Sequence, residues 1–325
     1  MTPPEQHPWI SALTREERRE LMQIEDWRGW LSLLGNWAIV AAAFTLVAWA
    51  PSIWTVIVAI FVIGARQLGF AVIMHEAAHH ALLGDPRLND TIANWLAAYP
   101  VWSDVHPYRA YHLVHHAKNW TDKDPDRGLA EPFPATAASM RRKVWRDLSG
   151  QTGWKRAKAT LKRDLGQSRG KVKRTEGGIT ALRGVIITNG ILFAILAAVG
   201  HPALYLLWVV SWLTTFSLVM RIRSIAEHAM IEDPADPLKN TRTTIANLAE
   251  RLLIAPNRVN YHLEHHLYMG MPLYNLPKLH MMLRERGVLD DACVETGYVK
   301  ILKMAGSASG GGGDHTDTDQ SLTWG

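Results

Sequence analysis

The sequence predicts an all-α integral membrane protein: four transmembrane helices in two hairpins, joined to a cytosolic helical cap. Three observations predict it. Four long apolar runs stand out of a 325-residue chain whose mean hydropathy is near neutral. The runs come as two pairs, each joined by a proline-containing turn too short to hold a domain. The basic residues collect on one side of those runs and are missing from the turns.

Taken in order, residues 1–32 are charged and bear tryptophan, which reads as a cytosolic or interfacial N-terminus rather than a signal peptide. Leu33–Ala50 and Ile53–Val72 form the first pair, joined at Pro51-Ser52. Val185–Gly200 and Ala203–Met220 form the second, joined at His201-Pro202. Each run approaches the roughly 20 residues needed to cross a bilayer core, and the third borrows turns from Ile179–Gly184. Asp104–Gly178 carries 17 Lys and Arg; Arg15, Arg18, Arg19 and Arg28 precede the first run, and Arg221 and Arg223 follow the fourth. Both termini and the middle segment therefore face the cytosol, as in a bacterial inner-membrane protein. Arg66, inside the second run, belongs near its cytosolic end. Asn89–Trp102 is a short amphipathic stretch with Trp95, Tyr99 and Trp102, and Arg141–Arg174 is basic with Trp145 and Trp154 interleaved; both suit the membrane surface. The membrane domain covers 33–306, and the glycine-rich 307–325 is expected to be a disordered tail.

Composition excludes several functions. Cys293 is the single cysteine, so thiolate zinc and iron–sulfur sites are ruled out. The net charge of +5 points to acidic lipid headgroups, not nucleic acid, because the cations flank membrane segments.

The histidines carry the chemistry. They stand as His75-Glu-Ala-Ala-His79-His80, His112-Leu-Val-His115-His116 and His262-Leu-Glu-His265-His266, with His228 alone eight residues past Met220. Positions i, i+3 and i+4 share a helix face, so each cluster is expected to aim its rings at one point. Both the second and fourth spans can continue out of the membrane and carry ligands with them. Nine ligands, His75, His79, His112, His115, His116, His228, His262, His265 and His266, exceed one zinc site but suit two ions of four to six coordination. His80 lies about 100° round the helix from His79 and is expected beside the site rather than in it. His75-Glu76-Ala77-Ala78-His79 also fits the zinc-protease pattern, in which the glutamate is general base, but that reading leaves six other clustered histidines unused.

With these three boxes, the chain resembles the membrane fatty acid desaturase superfamily, which includes related hydroxylases and carotenoid ketolases. The resemblance runs from about Phe70 to His280. It extends to HHAKNWTDKDPD after the second box and PNRVNYHLEHHLYMGMPLYNLPKLH around the third. The resemblance implies a non-haem di-iron centre of two Fe ions in the cap, O₂ as co-substrate, and a lipid or other hydrophobic chain entering from the bilayer. It implies a ninth ligand after the fourth span, which His228 in RIRSIAEHA matches. Ser224 stands where acyl-thioester desaturases place an asparagine at a metal-bound water. No haem-binding HPGG motif occurs, so a separate electron donor of ferredoxin, rubredoxin or cytochrome b5 type is expected. Asp124, Asp126, Asn260 and Glu264 are the expected acceptors for ligand N–H groups. The reaction expected is insertion of a double bond into an acyl or other lipid chain. Competing readings are a hydroxylase or ketolase on a lipid, sphingoid base or carotenoid, a membrane zinc protease using Glu76, and a metal transporter or buffer.

Overall fold

The computed structural model describes residues 8–166 and 178–309, so most of the expected tail and the end of the basic segment lie outside the described residues. The fold is all-α. Asp26–Trp49 and Ile53–Ala78 make the first hairpin. Gly178–Ala198 and a broken helix, Tyr205–Leu213 then Thr215–His228, make the second. Among the described residues, three stretches are long and apolar enough to cross a membrane: Arg15–Trp49, Ile53–Ala78 and Pro202–His228. The apolar stretch Leu182–Ala198 is shorter. Outward-facing Leu31, Trp49, Trp54, Ile186 and Val199 leave an apolar belt that suits lipid rather than water.

Ile53–Ala78 is the axis of the molecule. Ser52 starts it with a capping box: its Oγ accepts from the Thr55 amide at 3.2 Å, and Thr55 Oγ1 accepts from the Ser52 amide at 3.0 Å. At 26 residues it is about 39 Å long, against a hydrocarbon core of about 30 Å. Its last turns therefore project beyond the apolar layer, and from Ile63 to Ala78 every residue is buried under the other elements. Arg66 is buried, donating to Asn36 Oδ1 at 3.3 Å and to the Leu252 carbonyl instead of reaching water.

The fourth helix breaks at Thr214 (φ −113°, ψ −86°) without proline or glycine. Side chains and backbone of neighbouring helices hold the two halves in place, and one of them takes up a carbonyl that the break frees, as a break at membrane depth requires. Gln67 Nε2 donates to the Trp208 carbonyl at 2.9 Å, Arg156 donates to the Trp212 carbonyl, and Thr215 Oγ1 donates to the Ile60 carbonyl at 2.7 Å. Gly64 permits that approach, since a Cβ there would lie 2.1 Å from Thr215 Oγ1. Arg156 comes from Gln151–Asp164, which with Ala137–Leu148 forms a helical layer from the basic, tryptophan-bearing segment. A bidentate pair, Arg221 to Asp147 at 2.6 and 2.9 Å, ties that layer to the fourth helix. Beyond the helices lies a two-stranded parallel sheet, β1 (Thr243–Ile245) and β2 (Val294–Thr296), pairing Thr243 with Val294. Nothing in the alternation of these short segments predicts it.

Candidate metal centre

Two membrane helices end at the site, and a buried or half-buried arginine seals each end. The last carbonyls of a helix lack partners and carry the negative end of its dipole. At the end of Ile53–Ala78, Arg109 donates to the Ala77 and Ala78 carbonyls at 2.8 Å each and is itself held by Asp90 at 2.5 and 2.9 Å. At the end of the fourth helix, Arg242 donates to the carbonyls of Ala226, Ala229 and Met230 at 3.0, 2.9 and 2.9 Å. These contacts fix the turns that bear His75, His79 and His228. Val105–Lys118 supplies the second box, its start capped by Asp104 on the His106 amide at 2.9 Å. The six-residue helix His262–Leu267 supplies the third. A left-handed turn at Asn257 and Arg258 sets its approach, and Asn257 Nδ2 anchors that turn to the Gly69 carbonyl at 2.9 Å.

The rings converge, but not box by box. His75, His79, His112, His116 and His265 form one group; His115, His228, His262 and His266 form the other. Within each group the ligand nitrogens all lie within 4.8 Å of one another. Nitrogens about 2.1 Å from a shared ion stand about 3.0 Å apart when cis and about 4.2 Å when trans. The Nε2 pairs His112–His116, His116–His265 and His228–His262 stand at 2.9, 3.0 and 2.8 Å. Both ring nitrogens of His75 and the Nε2 atoms of His79 and His266 are buried with no partner. Orphaned buried nitrogens aimed at a common point fit a pair of metal ions. The expectation that each box serves a single point holds for His75 and His79 and is corrected for the second and third boxes. Adjacent residues are 100° apart on a helix, so His115 and His116, and likewise His265 and His266, must face different centres. His116 and His266, one from each group, stack at 4.2 Å.

Outside the spans, burial disfavours the charged form of most of the rings, and the neutral imidazole is the form that binds metal. Burial, helped by nearby Arg109 and His80, holds His79 down to about 3; burial with His79 and His115 holds His116 down to about 2. Burial likewise pushes His112, His262, His265 and His266 well below the usual histidine range. His115 alone moves up: burial opposes its charged form, but the hydrogen bond to Asp124, with Asp126 and Glu227 nearby, outweighs it.

Of the expected acceptors, Asp124 takes His115 Nδ1 at 2.8 Å and also the amides of Trp120 and Asp126 at 2.8 and 2.9 Å. Asp126 stands 3.8 Å from the same nitrogen and accepts from Tyr111. Glu264 is engaged elsewhere, accepting from Thr243 and bonded to His280 Nδ1 at 2.5 Å. Its place two residues after His262 turns it some 200° away from that ring. Asn260 donates to the Thr244 carbonyl at 3.0 Å, and so pins the loop to β1 rather than touching a ligand. His80, in a left-handed turn (φ 56°), is half-exposed, 4.0 Å from Asp90 and away from both groups. Ser224 lines a small cavity beside the four-histidine group. Glu76, the base of the protease pattern, faces away and accepts from the Leu273 amide at 2.9 Å. Sequence reasoning missed Arg109, Arg242 and the Arg223–Glu227 pair (2.6 Å). Only the last left a signal, opposite charges four residues apart and next to His228.

The surroundings are apolar on the membrane side. A cavity of about 350 Å³ opens between the third and fourth helices, lined by Trp102, Trp154, Tyr205, Trp208 and Trp212. Trp102 and Trp212 also line a smaller cavity that reaches Ala71 and Met74, the residue before His75.

Among curated proteins, the chain is 28% identical to dihydrorhizobitoxine desaturase of Bradyrhizobium elkanii over 310 residues, covering 90% of this chain and 84% of that protein. It is 24% identical to sn-1 oleoyl-lipid 12-desaturase of Picosynechococcus sp. over 281 residues, covering 82% and 80%. It is 23% identical to the chloroplastic omega-6 fatty acid desaturase of Brassica napus over 292 residues, covering 82% and 62%. A family model described as fatty acid desaturase matches residues 51–296, the stretch that holds the second helix of the first hairpin, the whole second hairpin and all nine converging histidines. On that match this chain belongs to the fatty acid desaturase family and is an oxidoreductase.

Proposed function

We propose that this protein is an O₂-dependent desaturase that uses two iron ions to place a double bond in an acyl or other lipid chain. The observation that carries the reading is the convergence of nine buried or half-buried imidazoles into two groups, with a tryptophan-lined apolar cavity close to the helix that bears His75. His75, His79, His112, His116 and His265 would hold one ion, and His115, His228, His262 and His266 the other. Iron held there supplies the one-electron and O₂ chemistry that removing hydrogen from an unactivated C–H demands. The chain's own residues do the rest. All-imidazole ligation leaves the ions cationic, while Asp124 and Asp126 balance charge behind His115. The cavity between the third and fourth helices takes a hydrophobic chain, and the stacked pair Trp102–Trp212 (5.6 Å) controls how far it reaches toward His75. Met74 and Ala71 exclude water at the inner end. Relatives are named for acting on an oleoyl lipid and on dihydrorhizobitoxine, so the scaffold serves more than one substrate class.

The basic segment and the positive-inside pattern support a cytosolic metal site in a bacterial inner membrane, with a separate donor of ferredoxin, rubredoxin or cytochrome b5 type bringing electrons. The test is expression in a host of known lipid profile followed by lipid mass spectrometry and iron assay. The expected product is two hydrogens lighter than its parent, formed by wild type and not by His115→Ala or His265→Ala. A product heavier by one oxygen would make the enzyme a hydroxylase, and one zinc per chain with no iron would end the di-iron reading.

A further inference from the structure

The two histidine groups are unequal. One holds five imidazoles and the other four, and neither includes a carboxylate. Beside the smaller group lies a cavity of about 30 Å³, lined by His115, His228, His262, Tyr108, Ser224 and Glu227 among others. A water needs about 10–15 Å³ and two to four polar partners, and this cavity offers both.

Glu227 is the residue that stands out there. It is buried, in the helical position directly before His228. One carboxylate oxygen, Oε1, accepts from Arg223 Nε at 2.6 Å, so the side chain is held in one orientation and its charge is balanced. The other, Oε2, faces the histidines and lies 3.7 Å from His262 Nε2. That is too far for a direct hydrogen bond, and it leaves this oxygen beside the point at which His228 Nε2 and His262 Nε2 meet, 2.8 Å apart. Asp126, which also lines the cavity, has one oxygen taken by Tyr111 and lies on the His115 side.

We propose that Glu227 completes the four-histidine site: its free oxygen accepts from a water or hydroxide that takes the position the smaller group lacks. The inference rests on the di-iron reading and goes beyond it by assigning the two ions different surroundings. One ion would be enclosed by five imidazoles. The other would keep an exchangeable ligand held by a buried carboxylate, which makes it the site where exogenous ligands enter. Arg223 acts through Glu227, as the group that fixes its orientation.

The test uses purified full-length protein loaded with ferrous iron. Iron per chain is measured against increasing chelator, and azide binding to the oxidised protein is followed by visible absorption and EPR. Wild type is expected to hold two irons and bind one azide. Glu227→Gln keeps the shape and the contact to Arg223 but loses the charge; it is expected to release one of its two irons at about 10–100-fold lower chelator concentration and to shift the azide spectrum. Glu227→Asp, too short to span the gap, is expected to behave like Glu227→Gln. Arg284→Met, on the exposed face of Leu276–Glu285, is expected to change neither. Two irons held as tightly as in wild type by Glu227→Gln, with the same azide spectrum, would overturn the assignment. Wild type without iron would instead overturn the di-iron reading on which it rests.

Discussion

Replacing Arg242 should uncouple the four-histidine site from the rest of the protein. The side chain is 2% exposed and donates to three carbonyls at the end of the helix that carries His228. Its backbone amide donates to a fourth, that of Glu227, at 2.9 Å. Arg242→Met keeps most of the volume and deletes the donors. A hydrogen bond to a charged group is worth about 1.5–3 kcal/mol, so three lost in full would sum to roughly 4.5–9 kcal/mol. Single substitutions rarely exceed about 4–5 kcal/mol, because the exposed end relaxes and admits water. We therefore expect a loss of about 4 kcal/mol. At about 2–4 °C per kcal/mol for a chain of this class, the apparent Tm in detergent should fall by roughly 8–16 °C at fixed scan rate. The loss is local, so iron should leave the four-histidine site first, giving a variant with one tightly held ion per chain. Arg242→Lys, with a point charge and no fork, should fall between Met and wild type. Arg284→Met on the exposed face of Leu276–Glu285 is the control and should change little. An Arg242→Met protein that melts within about 2 °C of wild type, or loses both irons together, would refute the reasoning.

Other outcomes follow from the same geometry. Asp124→Ala removes the acceptor from His115 Nδ1 and should weaken one iron by about 10–100-fold, measured by chelator competition. Asp124→Asn should recover only part of this, because its amide NH₂ must face one of the donors that the carboxylate satisfied. Trp102→Ala opens the constriction shared by the two cavities and should move the double bond along the chain or admit a bulkier substrate, read from product fragmentation; an unchanged product would show that the channel does not set position. At the surface, hydrogen bonding from Arg286 holds the Glu17 carboxyl down to about 2 from 4.5. A depressed carboxylate stabilises the folded state above the unfolded pKa and loses that effect as pH falls through the folded value. Hydrogen exchange in Arg15–Leu21 should therefore be slower in wild type than in Glu17→Gln at neutral pH, and the difference should shrink between pH 4.5 and about 2.

Much of the fold was legible because the bilayer imposes a simple rule. Apolar length, prolines at the turns and one-sided cations suffice to place helical hairpins. Break points were not legible: Thr214 interrupts the fourth helix with no helix-breaking residue, and the contacts beside that interruption come from Gln67, Arg156 and Ile60, all distant in sequence. The sheet of β1 and β2 was equally hidden, since its two strands are three residues each and pair across the fold.

At the site, the division follows the range of the interactions. The sequence by itself picked out the nine imidazoles that come together, because spacings of three and four residues are properties of a single helix. It also placed His75, His79 and His228 just past the ends of apolar runs. Only the tertiary structure decided how nine rings divide into five and four. That depends on the angles at which four separate segments meet, and it sends neighbours such as His115 and His116 to different centres. The same packing chose Asp124 as an acceptor, diverted Glu264 to His280, and brought Arg109 and Arg242 to the helix ends. Each of those is a long-range contact whose partners become neighbours only once the helices have packed.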